Sequence, residues 1–354
     1  MALTNSSKED IELLIDTYNH RHPDAINLIS KYFYGETQST MSEITEFNEN
    51  FLVVSSVSLT KKKENKFKFS QKIKTSEEFQ NNLILLLIQA REKAPSSEPL
   101  TKIEKEIEKT KNLDTYFTKV KSKKVISKNI VEITFHGGLK SLPNYGNDAF
   151  LYFIVSEEKN FKFPSNFSMA TFRSLKASKD ATSLNGAYYT IRRKRTHEID
   201  VWFVLHSNPG PLADWAEKCD AGDNVAVWGP RSSYNPPKDI DQYVFIGDET
   251  AQPAVLSCIE NLNGKKYIGI FETKNKQYVY DLKGISDHIK WIYRDDFDQQ
   301  NEDLVNEIVS LVQKDDKTYI FGAGEGKRML TLRRALNEAG FSSKETNLIG
   351  YWKK

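Results

Sequence analysis

The chain has 354 residues with a net charge of +2, 39% hydrophobic and 12% aromatic residues. That is enough for several compact domains and too near charge balance for a general nucleic-acid role. No apolar run approaches the ~18 residues of a membrane helix. The two cysteines, Cys219 and Cys258, lack a CxxC partner or nearby histidines, so neither a metal site nor a disulfide framework is expected.

The first residues, Met1-Ala2-Leu3-Thr4-Asn5-Ser6-Ser7-Lys8, lack the basic start, apolar core and cleavage site of a secretory signal, which points to the cytoplasm, and a monomer with no membrane partner is expected. From Lys8 to Lys31, Ile11, Leu14, Ile15 and Tyr18, then Ala25, Ile26 and Ile29, recur at helical spacing around Pro23, predicting two short helices. Met41 to Leu59 and Lys66 to Phe69 are strand-like, and Ser76 to Glu92 reads as a helix capped by Thr75 or Ser76. Residues 1–95 thus form a small α+β domain. Asn19, His22, Asp24, Ala25, Thr40-Met41-Ser42-Glu43-Ile44 and Phe51-Leu52-Val53-Val54 resemble a small domain appended to some haem-degrading split-barrel proteins. His20 and His22, at i and i+2, do not share a helix face, which favours a structural role over haem or metal binding.

Ala94-Pro95-Ser96-Ser97-Glu98-Pro99 has linker composition, and the Lys/Glu-rich helix behind it, Leu100 to Asn112, has little to bury, so residues 96–113 read as a connector. Short strands follow over residues 114–237: Thr118 to Ser127, Ile130 to His136, Phe150 to Val155, Tyr188 to Arg192, Ile199 to His206 and Asn224 to Trp228. The breakers between them predict an antiparallel barrel. Residues 238–354 alternate strands at Tyr243 to Ile246, Tyr267 to Phe271, Lys290 to Arg294 and Thr318 to Ala323 with helices at Pro253 to Asn261, Asp303 to Gln313 and Lys327 to Ala339, which predicts an α/β domain with a parallel sheet.

Ala187-Tyr188-Tyr189-Thr190-Ile191-Arg192 is, by itself, an ordinary aromatic strand. Gly210-Pro211-Leu212-Ala213-Asp214-Trp215-Ala216 opens a helix whose exposed N–H groups suit a pyrophosphate. Gly247-Asp248-Glu249-Thr250-Ala251 sits between a strand and a helix, where glycine allows close approach to the backbone and Thr250 can cap the helix or donate to a ribose or phosphate.

Together with Gly229-Pro230-Arg231, Phe321-Gly322-Ala323-Gly324-Glu325 and Gly350-Tyr351-Trp352, these segments resemble the siderophore-interacting proteins, or ferric-siderophore reductases, a branch of the ferredoxin-reductase-like flavoproteins. The resemblance runs from about Tyr116 to Lys354. It implies an FAD-binding barrel followed by an NAD(P)-binding domain, with NADPH or NADH as donor and a ferric siderophore or other ferric chelate as substrate. Tyr189 would pack on the isoalloxazine, Thr190 would hydrogen-bond near its N5, and Arg192 would offer a cation to flavin or substrate. His206, Gly210, Pro211, Leu212, Ala213 and Trp215 would complete the FAD site. Gly247, Asp248, Glu249, Thr250, Ala251, Gly324 and Glu325 would receive the nicotinamide, and Trp352 would cover the flavin or the nicotinamide. The family's first strand arginine is Ala187 here, which removes one phosphate partner. Arg192, Arg193, Lys194, Arg195 and Lys124 are candidates for a rim that attracts an anionic chelate; Arg193-Lys194-Arg195 reads equally as a solvated hairpin turn. A general flavin or ferric reductase, and a haem- or siderophore-binding protein on a degenerate scaffold, are the alternatives.

Overall fold

The computed structural model describes residues 3–59, 61–178, 183–206, 210–282, 284–297, 302–314 and 317–353, in two compact units, Met1–Asn112 and Leu113–Lys354. Met1 and Ala2, at the head of the leader reading, lie outside the described residues. Among the described residues no helix is long and apolar enough to cross a membrane.

In the first unit, Thr4 accepts a hydrogen bond from the Ser7 amide and starts α1 (Asn5–Arg21), which at 17 residues is longer than its apolar spacing suggested. It stops where Pro23 opens α2 (Pro23–Leu28), because proline is tolerated only in the first turn. Strands β1 (Met41–Phe47), β2 (Phe51–Val57) and β3 (Lys62–Lys68) form an antiparallel meander. Asn19 pins α1 to β1, its amide donating to the Ile44 carbonyl at 2.9 Å and its oxygen accepting from the Ile44 N–H at 2.8 Å. Helix α3 (Ser76–Lys93) carries a capping box between Thr75 and Glu78 and buries Phe79, Leu83, Leu86, Leu87 and Ala90.

Helix α4 (Lys102–Lys111) buries no side chain, as its composition predicts, yet it belongs to the first unit. Arg91 of α3 forks onto Glu104, at 2.7 Å to each carboxylate oxygen, and also donates to the Glu98 and Pro99 carbonyls. The expected connector is therefore a docked helix, and the unit boundary falls after Asn112. His22 is buried at the α1–α2 joint, and among the described residues no group of side chains has the make-up of a metal site.

The second unit begins with β4 (Asp114–Ser127), β5 (Ile130–His136), β6 (Phe150–Ser156), α5 (Met169–Ala177), β7 (Leu184–Lys194), β8 (Glu198–Val204), α6 (Pro211–Lys218) and β9 (Asn224–Arg231). The strands close into an antiparallel barrel in the order β4-β5-β8-β7-β6-β9. Alternation sends Ile199, Val201 and Phe203 into the barrel core with Phe135, Phe153 and Val227, and α6 adds Leu212, Trp215 and Ala216 to it. Trp202 and Val204 point outward instead.

The chain then builds β10 (Gln242–Gly247), α7 (Gln252–Glu260), β11 (Lys266–Thr273), β12 (Ile289–Tyr293), α8 (Glu302–Ser310), β13 (Thr318–Glu325), α9 (Gly326–Glu338) and β14 (Thr346–Trp352). The sheet is parallel, in the order β12-β11-β10-β13-β14. Val244, Ile246, Ile270 and Ile320 pack under α8 and α9, whereas Phe245, Phe271 and Phe321 pack under α7 together with Ile130, Trp202 and Val204 from the outside of the barrel. Strand order reverses between β10 and β13, and a crevice at such a switch point, beyond the carboxyl ends of the strands, is where open α/β sheets bind ligands.

Candidate functional site

Alternation along β7 gives Tyr188, Thr190 and Arg192 one face, and the three have different fates. Arg192 is 5% exposed and bidentate to Glu260 of α7, at 2.8 and 2.6 Å, with the Trp202 ring 5.5 Å from its guanidinium. Its charge is already matched, which corrects the expectation of a cation offered to flavin or substrate. Thr190 is buried. Tyr188 is 45% exposed and lies beside Arg231, which donates to its hydroxyl at 3.3 Å. Tyr189 points to the opposite face and packs on the barrel core, 4.3 Å from the Phe203 ring centroid and 6.1 Å from that of Phe153. Burial pushes its hydroxyl up to about 12. One side of Tyr189 is thus taken by the core, and the open aromatic face on this strand is that of Tyr188.

Gly247 ends β10, but a Cβ there would lie 3.0 Å from Ala251 Cβ and 3.5 Å from Val255. The tight passage into α7 favours glycine here. Helix α7 begins behind Ala251, so Thr250 is not its cap; the Thr250 hydroxyl donates to Asp248 Oδ1 at 2.6 Å and its amide to the same oxygen at 2.9 Å. Asp248 and Glu249 are 3% and 4% exposed. Arg294 forks onto both Glu249 oxygens at 2.7 Å, Thr273 donates to Glu249 at 3.0 Å, and Arg294 and Arg328 both donate to Glu272. Burial pushes Asp248 and Glu272 above the usual carboxylate range. The same burial acts on Glu249, but the Arg294 fork outweighs it and holds that carboxyl below its ordinary value. Two arginines and three carboxylates therefore lie together under the strand ends, with Arg294 and Arg328 sharing Glu272.

On the other side of the switch point, a Cβ at Gly324 would lie 2.8 Å from Asp248 Oδ2, so this glycine makes room for the carboxylate. Glu325 caps α9 by accepting from the Arg328 amide at 2.8 Å, and Arg333 is buried and donates to the Leu348 carbonyl. Strand β14 brings the last aromatic residues across this end. The Trp352 indole donates to Asp248 Oδ2 at 2.7 Å, and its ring centroid is 5.8 Å from that of His206. The Tyr351 hydroxyl is buried without a hydrogen bond of normal geometry among the described residues, within electrostatic reach of Thr190, Asp148 and Asp248. The barrel strand at Thr190 and the turn at Gly247 thus meet across Tyr351 and Trp352.

Helix α6 starts at Gly210 with no side-chain cap among the described residues and open space where a Cβ would be, while Leu212 and Trp215 turn their side chains into the barrel core and Ala213 is buried. The first-turn amides of this helix, which carry no side-chain cap, are polar groups that a flavin dinucleotide would satisfy; the residues fit the cofactor. Of the basic rim, Arg195 pairs with Asp200 at 2.6 Å and with Glu198 at 3.0 Å. Arg193 is 60% exposed and stands 4.0 Å from Glu260, and Lys124 is exposed on β4 with Lys194 half-buried. Glu260, Glu272 and Arg294 carried no sequence signal, because each is defined by a partner far along the chain.

A family model described as the siderophore-interacting FAD-binding domain matches residues 119–234, and one described as siderophore-interacting protein matches residues 240–354. The ferric vibriobactin reductase ViuB of Vibrio cholerae serotype O1 is 27% identical over 174 residues, 47% of this chain and 64% of that protein. An NADPH-dependent ferric-chelate reductase of Escherichia coli K12 is 25% identical over 164 residues, 44% of this chain and 61% of its own length. This chain thus spans less than two thirds of the length of these curated relatives. A crystal structure of a siderophore utilization protein from T. fusca shares the fold with a TM-score of 0.57 at 23% identity, covering 68% of this chain and 94% of that one. The two matched segments run in order through the barrel and the parallel-sheet domain, and the chain belongs to the siderophore-interacting protein family.

Proposed function

We propose that this protein is an FAD-dependent ferric-siderophore reductase that takes hydride from NADPH or NADH. The observation that carries the reading is the meeting of β7 at Thr190 with the β10 and β13 strand ends, bridged by Tyr351 and Trp352. The names of the relatives, ferric vibriobactin reductase and NADPH-dependent ferric-chelate reductase, support it.

FAD, when bound, supplies a carrier that accepts a pair of electrons from a pyridine nucleotide and releases them singly to ferric iron. The protein's part is binding, orientation and exclusion of water. The first-turn amides of α6 hold the pyrophosphate and offset the missing arginine at Ala187. The Thr190 hydroxyl orients the ring edge, with Tyr188, which shares its strand face, beside it. The backbone around Thr250 and Gly324 receives the nicotinamide, and Trp352, held by Asp248, shields that end from solvent. Arg193, Lys194 and Lys124 raise the encounter rate of an anionic ferric chelate, and iron leaves once reduced because Fe(II) is held less tightly by hard oxygen ligands.

Steady-state assays with FAD-loaded protein, comparing ferric siderophores with free flavin as acceptor, test the reading. Faster turnover of the ferric chelates is expected, and turnover of free flavin alone would reassign the protein as a flavin reductase.

A further inference from the structure

Arg192 and Glu260 stand at corresponding ends of the two half-sites. Arg192 is two residues from Thr190 on β7, and Glu260 is the last residue of α7, which starts directly behind the 247–251 turn. A helix of this length is a rigid rod of roughly 14 Å, so anchoring Glu260 fixes where the turn lies relative to the flavin strand. The other end of the rod is tied down as well. Gln252, its first residue, accepts from the Tyr280 hydroxyl at 2.9 Å, Tyr280 packs edge-on against Trp202 at 5.3 Å, and the Trp202 indole donates to Glu132 of the barrel at 2.8 Å. Apolar contacts between α7 and the barrel alone could slide. A planar guanidinium bound by both nitrogens to one carboxylate cannot do so without breaking two charged hydrogen bonds. With Arg192 5% exposed, breaking the pair also strands a desolvated cation.

We propose that the Arg192–Glu260 fork is a positioning latch that sets the separation between the flavin strand and the dinucleotide turn, and that Arg192 contacts neither flavin nor chelate. The inference rests on the proposed function, since the quantity it governs is hydride-transfer geometry. Misplacement by about 1 Å costs on the order of a hundredfold in such a step.

The test uses full-length, FAD-loaded wild type, Arg192→Lys, Glu260→Gln and the double variant. Both single variants are expected to keep FAD affinity within about twofold, to lose roughly 10- to 100-fold in the rate at which saturating NADPH or NADH bleaches the flavin, and to be reoxidised by ferric chelate at the wild-type rate after chemical reduction. The double variant is expected to be no slower than the slower single one, because the pair acts as a unit. In flavin-free protein, amide exchange in α7 is expected to rise in both single variants, a readout independent of turnover. Glu260→Gln keeps a hydrogen-bonding oxygen and serves where Arg192→Lys does not fold. Wild-type bleaching rates in both variants, or a loss of FAD affinity confined to Arg192→Lys, overturns the latch. Wild-type protein that holds FAD yet is not bleached by either nucleotide overturns the functional reading, and the latch with it.

Discussion

Thr190 is a buried hydroxyl on the outer face of β7, near the buried Tyr351 hydroxyl. Replacing it with valine keeps the shape and removes the hydroxyl. Thr190→Val is expected to retain FAD and to slow flavin bleaching about tenfold, the worth of one hydrogen bond of roughly 1.4 kcal/mol; stopped-flow absorbance at equal occupancy checks it, and an unchanged rate would remove Thr190 from the orienting role. Glu249 gives a pH signature. Its folded carboxyl titrates below the ordinary value, so the pair with Arg294 stabilises fully above about pH 4.3 and is lost as pH falls through the depressed value. Arg294→Gln should therefore cost about 3 kcal/mol at neutral pH, and the gap from wild type should shrink as acid protonates Glu249 in both. Thermal melts across that range decide it: a gap independent of pH would mean that the pair is not its source.

Elements differ in how much of them the sequence reveals. The barrel strands were readable because alternation of apolar and polar side chains is local, and the β10–α7 turn because its residue types are special. Helix α5 and strand β14 were not read. Helix α5 depends on docking Met169 and Phe172 against Ile154 and Trp228, and β14 on hydrogen bonds to β13, both of them tertiary. Helix α4 read as a solvated connector because what holds it, the Arg91–Glu104 fork, the Asp24 carboxylate on the Lys102 amide and the packing of Ile103, leaves no period in the sequence. Arg91→Ala is accordingly expected to cost the first unit about 2 kcal/mol and to raise amide exchange over residues 102–111. Burial raises the Glu104 carboxyl, but Arg91 and Thr101 pull it to about 2, so this contribution persists to about pH 4.3 and fades below it. Unaltered exchange in the variant would show that α4 is held by something else.

At the scale of the molecule, the order of domains was legible in the second unit, and the partners that hold them in register were not. Ion pairs such as Arg192–Glu260 and Arg294–Glu249, which join residues 68 and 45 positions apart, have no signature in composition or periodicity. They redirected Arg192 from a ligand-facing cation to an internal contact and filled the shell beneath Gly247 with protein charges. The structure brings β7 at Thr190 near the β10 and β13 strand ends across Tyr351 and Trp352, and the functional proposal is built on that. Anaerobic mixing of the FAD-loaded protein with NADPH and with NADH, followed by absorbance, tests it most directly. Rapid loss of the oxidised-flavin band with at least one nucleotide, and its return on adding a ferric siderophore, is the predicted result. A flavin that is fully bound and bleached by dithionite, yet untouched by either nucleotide, would contradict it.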